Sequence, residues 1–538
     1  MSGKRTLFLS VIPLVIAGVM YSWYLYEKNY IPDFPPATGN TCTIFLIDGL
    51  DNQIFRDELD KNCLPVMSGL INRGMYVEQG IASFPTMTGY GFFPFITGYD
   101  ATQSGILGLR WFDRKRTSGN LRNYVGRTNI HMNSDLTDSI QNYFQQSGSY
   151  YTASINTYMN KGVKHSLKTG WEHTTAKYEG LSVFKWLRAI PFFGEDIAKD
   201  HFQHEEGALQ LALRQLERNP KLHWVTFPSP DAYNHVFGTD EKYRQLIRHI
   251  DSLIGVYINA SDKLGQTDNR MFAIVSDHGI SDVQRNLDFC GWAKKELNLN
   301  IGRGKSVHFW SSALDDHISD LDPLDGFFVI NGNLTAYLYM KDKSRPYPEQ
   351  WAYPLPPEKV ENFHTVDRTI DLAGRIAMLD GIELVCYKSV DGNIKIRNQD
   401  GIAIVSAKSD SLQYYIDKAN PLQYPDSLCK RYLTRRQWLE STSDSEYPYA
   451  IPRLYDLMTQ SAIGDIVITS AKGVDLANDY EIFVGNYKGG HGGLRKEIIT
   501  VPYILYHPNM LKSMYKSMTA EDIGVLIGKY LQFRTPSR

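Results

Sequence analysis

The chain has 538 residues, of which 43% are hydrophobic and 22% are charged, proportions typical of a folded globular protein. Its 57 Lys and Arg against 59 Asp and Glu give a formal net charge of −2, so no strong basic field is present to recruit a nucleic-acid polymer. The five cysteines contain no C-x-x-C pair, which excludes a cysteine zinc knuckle and a dense disulfide scaffold but leaves one or two bridges open.

The N-terminus carries a membrane signal. Lys4 and Arg5 precede an uncharged run of 21 residues, 6–26, which is long enough to cross a bilayer. With the positive flank inside, an uncleaved signal-anchor places the rest of the chain on the extracytoplasmic side, in the periplasm or at the cell exterior. A removed signal peptide and a buried N-terminal helix are the alternatives. We assign residues 1–40 to this anchor and a Pro-rich linker.

After the linker, three short apolar runs each end in an acidic residue. These runs are "TCTIFLIDGL", "KLHWVTFPSPDAYNH" and "RMFAIVSDHG", and the acidic residues are Asp48, Asp231 and Asp277. Between the last two runs, residues 240–264 show the three- and four-residue apolar spacing of an amphipathic helix. This alternation predicts an α/β fold with a doubly wound, mostly parallel sheet and helices on both faces. Ligands bind such sheets at the carboxyl ends of their strands.

Three histidines accompany these carboxylates. His235 stands four residues after Asp231, His278 follows Asp277 directly, and His491 lies between two glycine pairs in "GGHGG". A lone acidic residue at a strand end is more often a helix N-cap, and each Asp–His pair could be a structural hydrogen bond. Taken together, three Asp and three His predict a site for two divalent cations, Zn²⁺ or Mn²⁺ as a substitute.

Five short motifs occur in an order that resembles a known family. "IDGL", "PTMTGYGFFPFITGYDATQSGI", "PDAYNHVFG", "SDHG" and "GGHGG" resemble the alkaline phosphatase superfamily, in its branch of type I phosphodiesterases and nucleotide pyrophosphatases. The resemblance covers roughly residues 41 to 285 and 462 to 510. It implies an alkaline phosphatase-like α/β core and a hydrolase acting on phosphoric esters.

The resemblance also assigns roles. The nucleophile of that family is the second threonine of a P-T-x-T element, nine residues before a Thr-Gly, and Thr88 stands nine residues before Thr97. Thr86 is then interpreted as turn structure. Asp48, Thr88, Asp277 and His278 would surround one metal, and Asp231, His235 and His491 the other. The family's diesterases place a phosphate-holding asparagine where this chain has Leu109, so Arg110 either contacts the phosphate instead or is a surface or ion-paired residue.

The long stretch between His278 and His491 contains strand and hairpin patterns with "DGN" and "QDG" turns. We predict an inserted α+β cap at 290–460, with the metal-binding core formed by 41–289 and 461–538. The leading function is hydrolysis of an extracytoplasmic nucleotide or lipid-headgroup phosphodiester or pyrophosphate through a phosphothreonine. The alternatives are a phospho-group transferase acting on membrane lipids or glycans, and a phosphomonoesterase. The sequence lacks the C/S-x-P-x-R element of sulfatases.

Overall fold

The structure is a computed structural model that describes residues 31–116, 120–124, 130–169, 191–303, 321–347, 349–476 and 487–537. Among these residues, no helix combines the length and the apolar character that crossing a membrane requires. The predicted anchor at 6–26 lies outside the described residues. The end of the predicted linker is described and packs against the body of the protein, since Tyr151 N donates to Pro35 O at 2.8 Å.

Strands and helices alternate through the first part of the chain. The strands are β1 (Thr41–Ile47), β2 (Met75–Ile81), β3 (Arg110–Phe112), β4 (Leu121–Asn123), β5 (Ala153–Ile155), β6 (His165–Leu167), β7 (Leu222–Phe227), β8 (Arg270–Val275), β9 (Ser281–Asn286) and β10 (Ile301–Arg303). The helices are α1 (Asn52–Asp60), α2 (Pro65–Ile71), α3 (Phe93–Thr97), α4 (Ile130–Asp135), α5 (Tyr143–Gln146), α6 (Pro191–Leu216), α7 (Ser229–Phe237), α8 (Glu241–Lys263) and α9 (Phe289–Leu297).

The later part is richer in strands. They are β11 (Gly326–Asn331), β12 (Thr335–Met340), β13 (Phe363–His364), β14 (Thr369–Ile370), β15 (Ile382–Lys388), β16 (Ile394–Arg397), β17 (Ile402–Lys408), β18 (Ser411–Lys418), β19 (Tyr432–Thr434), β20 (Ile466–Ser470), β21 (Gly473–Asp475), β22 (Gly489–Gly490), β23 (Thr500–Tyr506) and β24 (Ser513–Thr519). The helices are α10 (Glu349–Ala352), α11 (Pro357–Glu361), α12 (Leu372–Ala377), α13 (Arg435–Thr442), α14 (Ala450–Met458), α15 (Lys496–Ile499) and α16 (Ala520–Leu531).

Within the described residues, the first sheet has eight strands in the order β24-β2-β23-β8-β1-β7-β5-β6. β23 runs antiparallel to both of its neighbours, and the other neighbouring pairs are parallel. The three apolar runs singled out in the sequence are β1, β7 and β8, which lie side by side at the centre of this sheet. The prediction of a large, mostly parallel α/β sheet is therefore confirmed.

Both faces of this sheet are buried. Along β1, Ile44 and Leu46 join a core that includes the apolar side of α16, whereas Phe45 and Ile47 join a second core that includes α8. This follows from the two-residue repeat of a strand, which sends successive side chains to opposite faces. Because helices cover both faces, a strand such as β1 is buried at every position and mostly apolar, rather than alternating.

The second sheet, as far as the structure describes the chain, has nine strands in the order β10-β11-β12-β20-β15-β16-β17-β18-β19. It contains the strands predicted within the long insertion, and neighbours are antiparallel except for β10 and β11. β20 lies in the middle of this sheet, although it falls just after the predicted cap of 290–460. The domain boundaries themselves stay a prediction. All five cysteines are free thiols, so neither disulfide left open by the sequence forms.

Candidate metal centre

Three carboxylates meet at the carboxyl edge of the first sheet. Asp48 directly follows β1, and Asp277 stands two residues beyond the last residue of β8. Asp231 lies in the first turn of α7, and its backbone N–H donates to the carbonyl oxygen of Asp48 at 3.1 Å. Since β1 pairs with both β7 and β8, this convergence follows from strand order, as the sequence predicted.

The three predicted histidines reach the same point from different elements. On α7, the four-residue spacing brings Nε2 of His235 to 3.4 Å from Oδ1 of Asp231. Nε2 of His278 is 3.4 Å from Oδ1 of Asp48, and Nε2 of His491 is 3.7 Å from Oδ1 of Asp231. The rings of His278 and His491 stack with their centroids 3.8 Å apart.

Backbone carbonyl groups fix the tautomer of each of these histidines. Because a carbonyl oxygen only accepts, Nδ1 must carry the proton in each of three contacts, from His235 to Gly489 O at 2.9 Å, from His278 to Gly279 O at 3.1 Å, and from His491 to Thr86 O at 2.8 Å. Burial lowers the pKa of His278 to about 4. Burial, followed by the neighbouring His278, lowers the pKa of His491 to about 3. Both rings are therefore neutral at neutral pH, with the lone pair of Nε2 facing the carboxylates.

This arrangement places acceptors against acceptors. A neutral imidazole that donates through Nδ1 offers only a lone pair at Nε2, and the carboxylate oxygens that face it also offer only lone pairs. A cation between them turns this repulsion into coordination, and a histidine oriented by a carbonyl is the usual form of a metal ligand. Ligand atoms of Asp48, Asp277 and His278 lie within 4.8 Å of one another, and so do those of Asp231, His278 and His491.

Asp277 shows the same need for a positive charge. Both of its carboxylate oxygens are buried, and among the described residues neither accepts a hydrogen bond of ordinary geometry. Burial and the nearby Asp231 raise the pKa of Asp277, and the backbone N–H groups of Gly49 and His278 offset this only in part. A buried carboxylate without a partner is costly, and coordination of a metal removes that cost. The residues present therefore fit divalent cations.

Thr88 stands at the edge of this cluster. Its Oγ1 lies 3.3 Å from Oδ1 of Asp48 and 3.3 Å from Nε2 of His278. The residue is 9% exposed, so the hydroxyl is at a nearly closed surface rather than in bulk water. Gly89 follows with φ at +79°, and the helical turn that leads into α3 begins at Tyr90. The chain therefore turns sharply immediately after Thr88.

The glycines around His491 permit close packing, as the sequence predicted. A Cβ on Gly489 would lie 1.6 Å from Oδ1 of Asn234. Gly492 has φ at +110°, and a Cβ there would lie 2.3 Å from the carbonyl oxygen of Asn331. Larger side chains at either position would force the His491 loop away from α7 and from the turn between β11 and β12.

Two contacts of this loop were not foreseen from the sequence. Oγ1 of Thr86 accepts from the backbone N–H of Gly492 at 2.8 Å and donates to the carbonyl oxygen of Gly493 at 3.2 Å. From the second sheet, the backbone N–H groups of Asn333 and Leu334 both donate to the carbonyl oxygen of His491 at 3.0 Å. Thr86 is thus the anchor of the His491 loop and more than turn structure. No local sequence signal marks either contact.

The family model of type I phosphodiesterases and nucleotide pyrophosphatases matches residues 43–349, more than half of the chain. The chain belongs to the type I phosphodiesterase/nucleotide pyrophosphatase family. It is accordingly a hydrolase that acts on phosphoric ester bonds, and the resemblance stated from the motifs is confirmed. The matched range contains Asp48, Thr88, Asp231 and Asp277. No curated protein sequence matches the chain significantly.

Solved structures of ectonucleotide pyrophosphatase/phosphodiesterase 5 share the fold. The human protein superposes with a TM-score of 0.53 at 13% identity, covering 93% of this chain and 96% of its own. An inactive variant of the murine protein in complex with AMP gives a TM-score of 0.53 at 14% identity, covering 93% and 97%. At such low identity the likeness shows the fold alone.

Within this phosphodiesterase/pyrophosphatase family, the chain departs from the diesterase pattern at Leu109. Leu109 is partly buried and packs against the main apolar core. Arg110 is 1% exposed, so the alternative of a surface residue is wrong. Its guanidinium donates to the carbonyl oxygen of Ile330, and its backbone N–H donates to Oδ1 of Asn331 at 3.0 Å. A substrate role for Arg110 stays a prediction.

Proposed function

We propose that this chain is a two-metal phosphodiesterase/pyrophosphatase that cleaves its substrate through a covalent phosphothreonine at Thr88. The observation that carries the proposal is the position of the Thr88 hydroxyl, 3.3 Å from both Asp48 and His278 within the cluster of three Asp and three His. One cation would be held by Asp48, Asp277, His278 and Thr88, and the other by Asp231, His235 and His491. Zinc suits this mixture of imidazole and carboxylate ligands, and manganese is its substitute.

Divalent cations bound here would lower the pKa of the Thr88 hydroxyl and would balance the negative charge of the phosphoryl oxygens. The remaining roles belong to groups of the protein itself. Oγ1 of Thr88 forms a bond to phosphorus as the bond to the leaving alcohol or phosphate breaks. Water then cleaves the phosphothreonine and regenerates the hydroxyl. The carbonyl groups that hold Nδ1 of His235, His278 and His491 keep all three rings aimed at the reacting group.

A nucleotide is the first substrate class to test. The murine relative was solved with AMP, a nucleoside monophosphate of the kind that remains when a nucleotide phosphodiester or pyrophosphate is cleaved. A phospholipid headgroup is the second class, because the predicted anchor would hold the site near a membrane surface. Action on the extracytoplasmic side follows from the positive flank at Lys4 and Arg5.

The decisive experiment compares three chromogenic substrates with zinc added. These are p-nitrophenyl thymidine monophosphate, bis-p-nitrophenyl phosphate and p-nitrophenyl phosphate. We expect both diesters to be turned over faster than the monoester. Preference for the monoester would overturn the proposal. A covalent adduct on Thr88, trapped by acid quenching and located by mass spectrometry, would support the phosphothreonine directly.

Phosphomonoesterase activity is the second candidate, and Leu109 favours it. A leucine cannot donate a hydrogen bond, so the amide that holds one phosphoryl oxygen in the family's diesterases has no counterpart at this position. Transfer to an acceptor other than water is the third candidate, because a phosphothreonine can pass its group to an alcohol as well as to water. If none of the three substrates is turned over but an adduct forms on Thr88, the result would favour transfer.

The extracytoplasmic location is tested separately by fractionation. The full chain should sediment with membranes, and a chain that begins at residue 31 should remain in the soluble fraction with its activity intact. If the shortened chain aggregates, the first segment is part of the folded core and the anchor is wrong. Protease added to intact cells should reach the catalytic portion of the full chain.

A further inference from the structure

The segment that carries Thr88 has little regular structure of its own. β2 ends at Ile81, and residues 82–89 form neither helix nor strand before the helical turn begins at Tyr90. A hydroxyl on such a segment is held in place only by contacts from outside it. Thr86 supplies one of these through the His491 loop.

A second set of contacts comes from Arg453 on α14, far away in sequence. Its side chain is 3% exposed and makes five hydrogen bonds, one for each N–H of a guanidinium. Nε donates to Ala82 O at 2.9 Å and Nη2 to Ile81 O at 3.2 Å. Nη1 donates to the carboxylate of Asp100, and both Nη atoms donate to the carboxylate of Glu521 on α16.

These bonds grip the Thr88 segment at both ends. Ile81 is the last residue of β2 and Ala82 is the first residue of the segment, whereas Asp100 lies three residues after the end of α3, the helix into which the segment leads. Asp100 is itself fixed, because its Oδ1 accepts from the backbone N–H of Thr102 at 2.9 Å. One planar group therefore sets the distance between the entry and the exit of this segment.

We propose that Arg453 is the positioning residue for Thr88, acting through the two ends of the segment rather than through contact with substrate. The proposal rests on the assignment of Thr88 as the nucleophile. The five bonds require a planar fork of donors. Lysine offers three donors from a single point and cannot serve both carbonyls and both carboxylates at once. A displacement of the nucleophile by about 1 Å is enough to lower turnover about 100-fold.

The test compares Arg453→Lys with Arg114→Lys. Arg114 is a matched control, because it is also buried and donates to both carboxylate oxygens of Asp465 at 3.0 Å. Its other described hydrogen bonds go to the carbonyl oxygens of Trp351 and Tyr353, which lie outside the Thr88 segment. With p-nitrophenyl thymidine monophosphate, Arg453→Lys should lower kcat about 10- to 100-fold and change KM less than about threefold. Zinc content should equal that of the wild type. Arg114→Lys should lower Tm but keep kcat within about twofold.

Equal kcat values for the two lysine variants would overturn the proposal, as would a loss in Arg453→Lys that follows a loss of zinc. If Arg453→Lys does not fold, Asp100→Ala replaces it, since this change keeps the guanidinium and removes its partner at one end of the segment. Its kcat should fall in the same way, and an unchanged kcat would overturn the proposal. Thr88→Ala in the same assay separates the two hypotheses. Activity retained there refutes the nucleophile assignment, whereas an inactive Thr88→Ala beside an unaffected Arg453→Lys refutes only the role of Arg453.

Discussion

Two buried clusters of acidic side chains lie around the segment that carries Thr88, and they are balanced differently. In the cluster at the carboxyl edge of the first sheet, the ion pairs described for the carboxylates are all with histidines. In the second cluster, which contacts the two ends of the segment, the carboxylates form ion pairs with a guanidinium group. The members are Asp48, Asp231, Asp277, His235, His278 and His491 in the first cluster, and Asp100, Glu521 and Arg453 in the second.

This difference in charge balance distinguishes the candidate metal site from the contacts that support the Thr88 segment. Burying a carboxylate is costly unless a positive charge or several hydrogen bonds accompany it. Arg453 supplies one positive charge from within the chain for Asp100 and Glu521. A proton offsets part of the remaining negative charge, because burial and the neighbouring Glu521 raise the pKa of Asp100 to about 7. The neutral rings of His278 and His491 supply none, so we expect the first cluster to take up cations from solution. The charge of the first cluster is thus left for cations to balance, as the proposed reaction requires. The second cluster, which contains Arg453, supports the segment that carries Thr88.

The largest expected effect is the loss of the nucleophile. Thr88→Ala should lower turnover by about four orders of magnitude or more, because among the described residues no other hydroxyl hydrogen-bonds to both Asp48 and His278. Zinc content and Tm should change little, since the hydroxyl is only one of several ligands. Steady-state assays and elemental analysis measure both. Thr86→Ser, which keeps the hydroxyl that anchors the His491 loop, is the control and should retain most activity.

Removal of metal should affect the first cluster alone. Chelation should lower activity at least about 100-fold, and re-addition of zinc should restore it. Elemental analysis should find two divalent ions per chain, and His491→Ala should lose one of them. The Tm of the wild type should fall with the metal, because ligands that bind only the folded state stabilise it. Active protein that contains one ion or none would refute the two-metal scheme.

Asp277→Asn sharpens the contrast between the clusters. In chelated protein at pH 8, the variant should be more stable than the wild type by about 1 kcal/mol or more, because it removes a buried carboxylate whose pKa is raised by burial and by Asp231. With zinc the order should reverse, since an amide is a poorer ligand. Asp100→Asn is the counterpart, and its effect on stability should be the same with and without chelator, because Asp100 belongs to the second cluster. Thermal unfolding with and without chelator decides between these outcomes.

Glu205 on α6 offers a third way to bury a carboxylate, which is to protonate it. One of its oxygens accepts from the backbone N–H of Ser229 at 2.7 Å, at the start of α7, and the other has no hydrogen-bond partner among the described residues. Burial raises the pKa of Glu205 to about 8. The folded state therefore keeps a proton that the unfolded state releases above pH ~4.3. The stability that this provides is lost as the pH rises towards 8.

Glu205→Gln, which is neutral at every pH, should lack this dependence. Relative to the wild type, the variant should gain at least about 1 kcal/mol of unfolding free energy between pH 5 and pH 9. Denaturant unfolding at the two pH values measures the difference. Parallel pH profiles for the two proteins would show that Glu205 is charged in the folded state and that a different group balances it.

The sequence by itself determined the centre of the fold and which residues are candidates for the metal site. Short apolar runs that end in an acidic residue predicted β1, β7 and β8, because strands buried on both faces are mostly apolar instead of alternating. Strand pairing then brings Asp48, Asp231 and Asp277 to one edge. Two further features could be predicted from local sequence. These are the four-residue spacing that places Asp231 and His235 on one face of a helix, and the close packing that the glycines around His491 allow. The resemblance to the family supplied the choice of Thr88 over Thr86.

Only the tertiary structure decided what holds those groups in place. The grip of Arg453 on Ile81, Ala82 and Asp100 joins positions more than 350 residues apart, as the bonds from Asn333 to the His491 loop join β11 and β12 to the catalytic edge. Such contacts leave no periodicity or spacing in the sequence, because each partner is an ordinary residue in its own neighbourhood. Local patterns reveal which chemistry is present, whereas the precision of its placement comes from hydrogen bonds between distant segments that exist only after folding.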